Sequence, residues 1–191
     1  YETPLGTITI NQDLAKPLRE TEFFTYNPNS HDKEHSLEVQ IPFIQTVVPN
    51  AKILPIIVGK LDDKSLQTAV NTISTLLKNN DDTILIASSD LSHFHPYDDA
   101  KVMDKEAINL IKNFELSKLI ENHQNKKIEL CGFLPVLITM LVTKELNYTE
   151  VDLLQFYNSG DVTKDHSSVV GYASLSFSKT QITNSELSKE E

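Results

Sequence analysis

Cysteine is almost absent from this chain of 191 residues, which contains only Cys131. An internal disulfide is therefore excluded. A reducing cytoplasm is the natural location, although a secreted protein without disulfides has the same composition. Glycine is also scarce, at five residues, and none of them forms a G-x-G-x-x-G or a P-loop pattern. Nucleotide binding through a glycine-rich loop is accordingly not expected.

Basic charge and long apolar runs are lacking as well. The 17 lysines and arginines are outnumbered by 27 acidic residues, which gives a net charge of −10. Nucleic acids and anionic membranes both select a basic face, so we expect neither as a partner. The longest apolar run, residues 133–142, is too short to cross a bilayer. No signal peptide is visible, and because the chain begins at Tyr1 rather than Met, we expect its true start to lie upstream.

The stretch with the most chemistry is residues 83–96. Residues 83–87 are apolar and β-branched, which predicts a strand buried on both faces. Asp90, His93 and His95 follow in a predicted loop. Ligands of open α/β sheets bind beyond the carboxyl ends of the strands, so these side chains are candidate functional residues. The plainer alternative is that Asp90 caps a turn and the histidines are solvent-exposed.

The order of predicted elements indicates an α/β fold, a three-layer sandwich with a mixed, mostly parallel central sheet and helices on both faces. Residues 53–58 are predicted to form a second buried strand, which should lie with residues 83–87 at the sheet centre. Residues 151–157 and 168–177 are predicted closing strands that pair as neighbours. We expect one domain over residues 1–178 and a polar tail over residues 179–191.

Helices are predicted from caps and apolar periodicity. They follow Asn11 and Asp62, cover residues 97–114 and 115–124, and end near Leu146 after Pro135. Within residues 97–114, Val102, Ala107, Leu110 and Ile111 should face inward. His123 is expected to be a surface residue.

Residues 30–38 are a second polar stretch, and apolar residues at helical spacing follow from 37 to 48. They predict a helix that begins near Glu34 and continues past Pro42 with a kink. His31 and His35 also match the H-x-x-E-H zinc-protease pattern, but no downstream carboxylate on a matching helix is evident. We favour a helix start at which Glu34 and His35 face a cleft suited to an anion. A solvated helix end is the plain alternative.

Cys131 lies just before a predicted helix N-terminus. A thiolate is favoured there and can bind a soft or borderline metal ion. A lone cysteine is more often simply buried, and position alone favours that interpretation.

Several stretches together follow the order seen in the Memo family, over nearly the whole chain to about Phe177. They include Glu34-His35-Ser36-Leu37-Glu38 and Ser88-Ser89-Asp90-Leu91-Ser92-His93, with residues 1–6, 41–43, 55–59, 131–132 and 168–173. The chain thus resembles the Memo family, which is similar to the class III extradiol dioxygenases and their non-haem iron site.

The resemblance implies a mononuclear site in which two histidines and one cysteine hold an iron or copper ion. Cys131 matches the cysteine. Asp90 and His93 match cleft residues near the metal, with His93 at the position of the dioxygenase acid–base histidine. The two histidine ligands lie in family segments before the one that matches Tyr1. We therefore expect this chain to lack the N-terminal portion of the family domain.

An imidazole with a pKa near neutrality can move a proton beside a metal site, and a carboxylate can fix its tautomer. We therefore predict a metal-dependent, dioxygenase-like redox enzyme acting on a small substrate. Asp90 and His93 are its predicted catalytic residues, Glu34 and His35 its substrate-binding residues and Cys131 its metal ligand. All five should line one pocket.

Two other functions use the same side chains. In the first, the cleft binds a peptide or protein partner without turnover. The resemblance implies phosphotyrosine peptides and a radical-SAM protein as partners of this kind. In the second, Cys131 is the nucleophile of a hydrolase and His93 is its base.

Overall fold

The computed structural model of the protein describes residues 1–32 and 34–179. It separates into two units, one of residues 1–89 with 134–139, the other of residues 90–133 with those from 140 onward. The predicted single domain over residues 1–178 stays a prediction. The predicted polar tail lies outside the described residues except for Lys179.

The first unit is mainly helical. Its core includes Leu14 and Leu18 on one helix and Val70 and Ile73 on another, all buried. Its elements are β1 (Glu2–Thr3), β2 (Gly6–Thr7), α1 (Gln12–Arg19), α2 (Pro28–His31), α3 (Ile41–Val47) and α4 (Asp63–Lys78).

The starts of α1 and α4 are confirmed where the sequence predicts them. The Asn11 side chain accepts hydrogen bonds from the first backbone N–H groups of α1. The Asp62 side chain accepts one from Ser65 N–H at the start of α4. These N–H groups have no partner inside their helices, so a capping oxygen fixes where each helix begins.

The two predicted central strands are not formed. Residues 53–58 contribute only an isolated parallel bridge between Ile53 and Ile10. In residues 83–87, Ile84 is 84% exposed and Ile86 is 57% exposed. The prediction that both segments are nearly fully buried strands is therefore wrong for this structure. An apolar, β-branched composition favours a strand, but strands also need neighbours to pair with, and composition does not supply them.

The helix predicted to begin near Glu34 begins at Ile41 instead, after turns over residues 36–40. Pro42 explains the difference, because proline fits the first helical turn but interferes with the carbonyl four residues before it. Glu34 and His35 thus precede α3 in a non-helical segment. Ser36 N–H donates to Glu34 Oε1 at 2.8 Å, and this hydrogen bond holds the pKa of Glu34 below its usual value.

The second unit combines helices with an antiparallel sheet. Its elements are β3 (His93–His95), α5 (Tyr97–Lys112), α6 (Leu116–Gln124), β4 (Glu150–Asn158), α8 (Ser159–Thr163) and β5 (Val169–Ser178). Helix α7 (Phe133–Glu145) contains residues of both units. Helices α5, α6 and α7 confirm the predicted ones.

The sheet has the strand order β3-β5-β4, so β5 is its central strand. β4 and β5 pair from Glu150 with Ser178 to Asn158 with Gly171, which confirms that the two closing strands are neighbours. In residues 1–32 and 34–179, only the bridge at Ile53 is parallel. The described chain is thus a mixed helix-and-strand structure with eight helices and small antiparallel sheets. The mostly parallel sheet is not present there: β4 and β5, which a short connection joins, pair antiparallel, and so do β3 and β5.

Helix α5 covers part of the core of the second unit. Ala107, Leu110 and Ile111 are buried as predicted, but Val102 is 72% exposed. Five residues before Ala107, Val102 lies on a different face of a 3.6-residue helix, so its predicted inward position is wrong. No helix within residues 1–32 and 34–179 combines the length and apolar character needed to cross a membrane.

Candidate metal and acid–base site

The backbone of residues 91–93 is held against the central strand β5. Leu91 N–H donates to Gly171 O at 2.9 Å, and Gly171 N–H donates to Ser92 O at 2.9 Å. Ser92 N–H also donates to Asp104 Oδ1 on α5, at 2.9 Å. His93 and His95 therefore lie on a strand, not in the loop that the sequence predicted. The preceding apolar run misled the prediction because it placed the strand several residues too early.

Strand β3 contains a bulge between its two histidines. His93 pairs with Val170 and His95 pairs with Val169, so Phe94 is an extra residue on this strand. Phe94 has a φ of 63°, a left-handed conformation that bulky residues rarely adopt, and its side chain is 76% exposed. The bulge lets both histidines keep their places in the pairing.

The side chains of Asp90, His93 and Cys131 lie together. One ligand atom of each, a carboxylate oxygen, a ring nitrogen and Sγ, lies within 4.8 Å of the other two. His93 Nε2 is 3.3 Å from Asp90 Oδ2. Asp90 N–H donates to Cys131 Sγ at 3.0 Å, and Cys131 N–H donates to Asp90 O at 3.3 Å. Backbone and side chain together thus tie the Asp90 segment to the Cys131 segment.

The cluster is accessible to ligands from solution. Asp90 and His93 are half-buried, and Cys131 is exposed and in no disulfide. The interpretation of Cys131 as a buried core residue is therefore wrong.

The donor set fits a transition-metal ion. Donors bonded to one ion at about 2.0–2.3 Å lie within about 4.6 Å of each other, so the observed spacing needs only a small adjustment. Thiolate and imidazole suit iron, copper and zinc, and a carboxylate completes a mixed set. Among the described residues, this is the one group of three or more such donors close enough to share an ion. The H-x-x-E-H match at His31 and His35 forms no such group there.

Glu129 belongs to the site but was missed by the sequence analysis. Its Oε2 accepts His93 N–H at 3.1 Å, and its Oε1 is 3.1 Å from His95 Nε2. Burial would raise the pKa of Glu129, but the hydrogen bonds from the two histidines outweigh it and hold that pKa below its usual value. The available signal was an acid between two apolar residues, Ile128 and Leu130, just before Cys131.

The remaining predicted residues precede residue 90 in the chain. Glu34 and His35 belong to the first unit, and their part in substrate binding stays a prediction. His31 Nδ1 is 2.5 Å from Tyr1 Oη, and its ring stacks on that of Tyr26.

His123 is not the surface residue that was predicted. Its ring stacks on Phe133 with a centroid distance of 3.9 Å, and burial lowers its pKa. An aromatic partner just past Cys131 in the sequence could not be recognised from the spacing of α6 alone.

The fold and site define a mixed helix-and-strand protein with a carboxylate–imidazole–thiol cluster. A family model described as Memo-like protein matches residues 1–176. The chain is 35% identical over 178 residues to a MEMO1 family protein of Methanothermobacter thermautotrophicus, covering 92% of this chain and 64% of that relative. It is 34% identical over 177 residues to one of Thermoplasma volcanium, with the same coverage. The chain belongs to the Memo family, and it spans just under two thirds of the length of these relatives.

Proposed function

We propose that this protein is a metal-dependent redox enzyme of the dioxygenase-like kind, acting on a small organic substrate with O₂ or a reduced oxygen species. The observation that supports the proposal is the meeting of Asp90, His93 and Cys131 within 4.8 Å. Membership of the Memo family adds support, because the sequence resemblance assigns roles to these same three residues. A three-layer fold of the whole protein and a cytoplasmic location are parts of the same proposal.

Each side chain has a distinct task. Cys131 would hold an iron or copper ion through its thiolate, with Asp90 and His93 beside it. Such an ion, when bound, supplies one-electron chemistry with oxygen. His93 moves a proton to or from the substrate, since an imidazole gains and loses a proton near neutral pH. Asp90 accepts from His93 Nε2, which fixes the ring orientation and leaves Nδ1 for the substrate.

Metal analysis of the full-length, anaerobically purified protein tests the proposal. We expect close to one iron or copper ion per chain in the wild type and a large loss of bound metal in Cys131→Ser. His93→Gln should keep most of the metal but slow oxygen consumption by the loaded protein by about 100-fold or more, the usual scale for loss of an acid–base group. His166→Gln is the control, because His166 stacks on Tyr97 and is not one of the three clustered donors. Equal metal content in wild type and Cys131→Ser would overturn the proposal.

A cysteine-nucleophile hydrolase is the second candidate. The observation in its favour is an exposed Cys131 whose Sγ lies within 4.8 Å of a His93 ring nitrogen. A burst of acyl-enzyme on Cys131 with activated thioesters in metal-free protein, lost in His93→Gln, would support this candidate over the redox enzyme.

A binding role without turnover is the third candidate, with a peptide or a radical-SAM protein as partner. The half-exposed side chains of Asp90 and His93 leave the cluster open to a ligand. Peptide binding that is unchanged in metal-free wild type and in Cys131→Ser, with no oxygen consumption in any form, would favour it.

A further inference from the structure

The Glu129 side chain contacts both histidines of β3. One carboxylate oxygen accepts the backbone N–H of His93, and the other meets the ring of His95. Glu129 comes two residues before Cys131 in the chain. Its side chain therefore links the segment that carries the thiol to both histidines of β3.

Strand β3 by itself gives weak support to His93. It has only three residues, and its middle residue, Phe94, has a left-handed backbone at the bulge. Such a conformation is strained for a bulky residue and persists only where surrounding contacts enforce it. Glu129 provides such contacts, because it holds His93 before Phe94 and His95 after it.

At least four hydrogen bonds connect the two site segments. Two join Asp90 and Cys131, through Asp90 N–H to Sγ and Cys131 N–H to Asp90 O. The other two are those of Glu129. The pair at Glu129 limits how far His93, three residues after Asp90, can move relative to Sγ.

We propose that Glu129 is a positioning residue that sets the placement of the His93 imidazole relative to the Cys131 thiol. Its oxygens face His93 N–H and His95 Nε2, and it is not one of the three donors that could share an ion. It acts through His93 and not on the substrate. The consequence for catalysis rests on the proposed function, but the consequence for side-chain placement does not.

The variants separate hydrogen bonding from charge. Glu129→Gln keeps an acceptor for His93 N–H, and its amide can donate to the neutral ring of His95, so it should retain the arrangement. Glu129→Leu removes both hydrogen bonds. His95→Phe removes one. Glu121→Leu is the matched control, because Glu121 is an exposed acid on α6 outside the site.

The first readout needs no metal and no substrate. Cys131 is the only thiol, so its alkylation rate by iodoacetamide reports on its surroundings, and the imidazole ¹⁵N signals report on the hydrogen bonding of His93. We expect Glu129→Leu to shift the His93 signals and to change the alkylation rate by about threefold or more, a factor of the size that the net free energy of one hydrogen bond gives. Glu129→Gln should resemble the wild type, and His95→Phe should lie between.

The second readout is the spectrum and affinity of bound Co²⁺, whose sulfur-to-metal absorption reports on the thiolate. We expect about 10- to 100-fold weaker binding in Glu129→Leu, the usual effect of losing a group that orients the metal site, and recovery in Glu129→Gln. Wild-type protein that binds no Co²⁺ would overturn the proposed function but leave the alkylation and NMR comparison to decide on Glu129.

Wild-type alkylation and His93 signals in Glu129→Leu would overturn the proposal, as would an equal change in Glu121→Leu. If Glu129→Leu does not fold, His95→Phe and Glu129→Gln decide: a His93 shift in the first and none in the second supports the proposal, and wild-type signals in both overturn it.

Discussion

Gly171 lies so close to Asp104 that no side chain fits between them. A Cβ placed on Gly171 would overlap the Asp104 carboxylate oxygen Oδ2. Asp104 is itself fully buried, and its other oxygen accepts Ser92 N–H. The close approach of β5 to α5 thus fixes the backbone that leads into β3.

We therefore predict that Gly171→Ala destabilises the protein by about 1–3 kcal/mol, the usual range for overpacking a filled site. Urea unfolding followed by circular dichroism measures the change. Gly59→Ala is the control and should change stability by less than about 0.5 kcal/mol, because nothing lies within 4 Å of its Cβ position. An equal effect of both substitutions would contradict the close contact.

Asp104 should make stability depend on pH. Burial raises its pKa, and although the Ser92 N–H bond acts in the opposite direction, burial prevails. The folded state then binds the proton more readily than the unfolded state, so the carboxyl costs stability at neutral pH. That cost disappears as the pH falls through the raised folded pKa towards the ordinary value for Asp.

We predict that the unfolding free energy of the wild type, measured relative to Asp104→Asn, increases between pH 7 and pH 4. Asparagine keeps an acceptor for Ser92 N–H but does not titrate. Urea unfolding at several pH values measures the difference, and curves that stay parallel over the whole range would refute this role of Asp104.

His123 should also make stability depend on pH, but at a higher pH than Asp104 does. Burial lowers its pKa, only partly offset by the charge of Glu129, so the unfolded state binds the proton more readily. The contribution of His123 to the free energy of unfolding is therefore greatest above the ordinary histidine pKa of about 6.5, and it decreases as the pH falls below that value.

The variant His123→Phe keeps a ring against Phe133 but does not titrate. We predict that its melting temperature minus that of the wild type increases as the pH falls from about 8 to about 5.5, across that ordinary pKa. The comparison at the higher pH is the internal control, because His123 is neutral there in both states. A difference in melting temperature that does not vary with pH would argue against a partly buried ring with a lowered pKa.

The two isoleucines Ile84 and Ile73 test the corrected position of the predicted central strand. Ile84 is 84% exposed and Ile73 is 5% exposed. We expect Ile84→Ala to cost less than about 0.5 kcal/mol and Ile73→Ala about 2–5 kcal/mol in urea unfolding. A large loss of unfolding free energy in Ile84→Ala would instead support the buried strand that the sequence predicts over residues 83–87.

Local signals in the sequence predicted the starts of α1 and α4 and the positions of α5, α6 and α7. Caps such as Asn11 and Asp62 act within one turn, so the residues that determine them are adjacent in the chain. Strands were harder. Residues 83–87 have the composition of a buried strand, but a strand is decided by partners that lie far away in sequence, and no local pattern encodes them.

In the candidate site too, local features could be predicted from the sequence, but long-range contacts could not. Asp90 and His93 stood out because they follow an apolar run, and Cys131 because it is the one thiol. Their meeting across 41 residues came from the family resemblance and not from spacing. Glu129 could not be predicted, because its importance depends on two distant histidines that only the folded chain brings to it.

The backbone conformation of Phe94 limits which residue types can replace it on β3. The histidines on either side are tied to β5 and to Glu129, while the Phe94 side chain points into solvent, so selection on its size is weak. Selection on its backbone is strong, because glycine and asparagine adopt a positive φ readily and β-branched residues do not. Among related sequences that keep this bulge, position 94 should therefore accept diverse side chains but exclude valine, isoleucine and threonine.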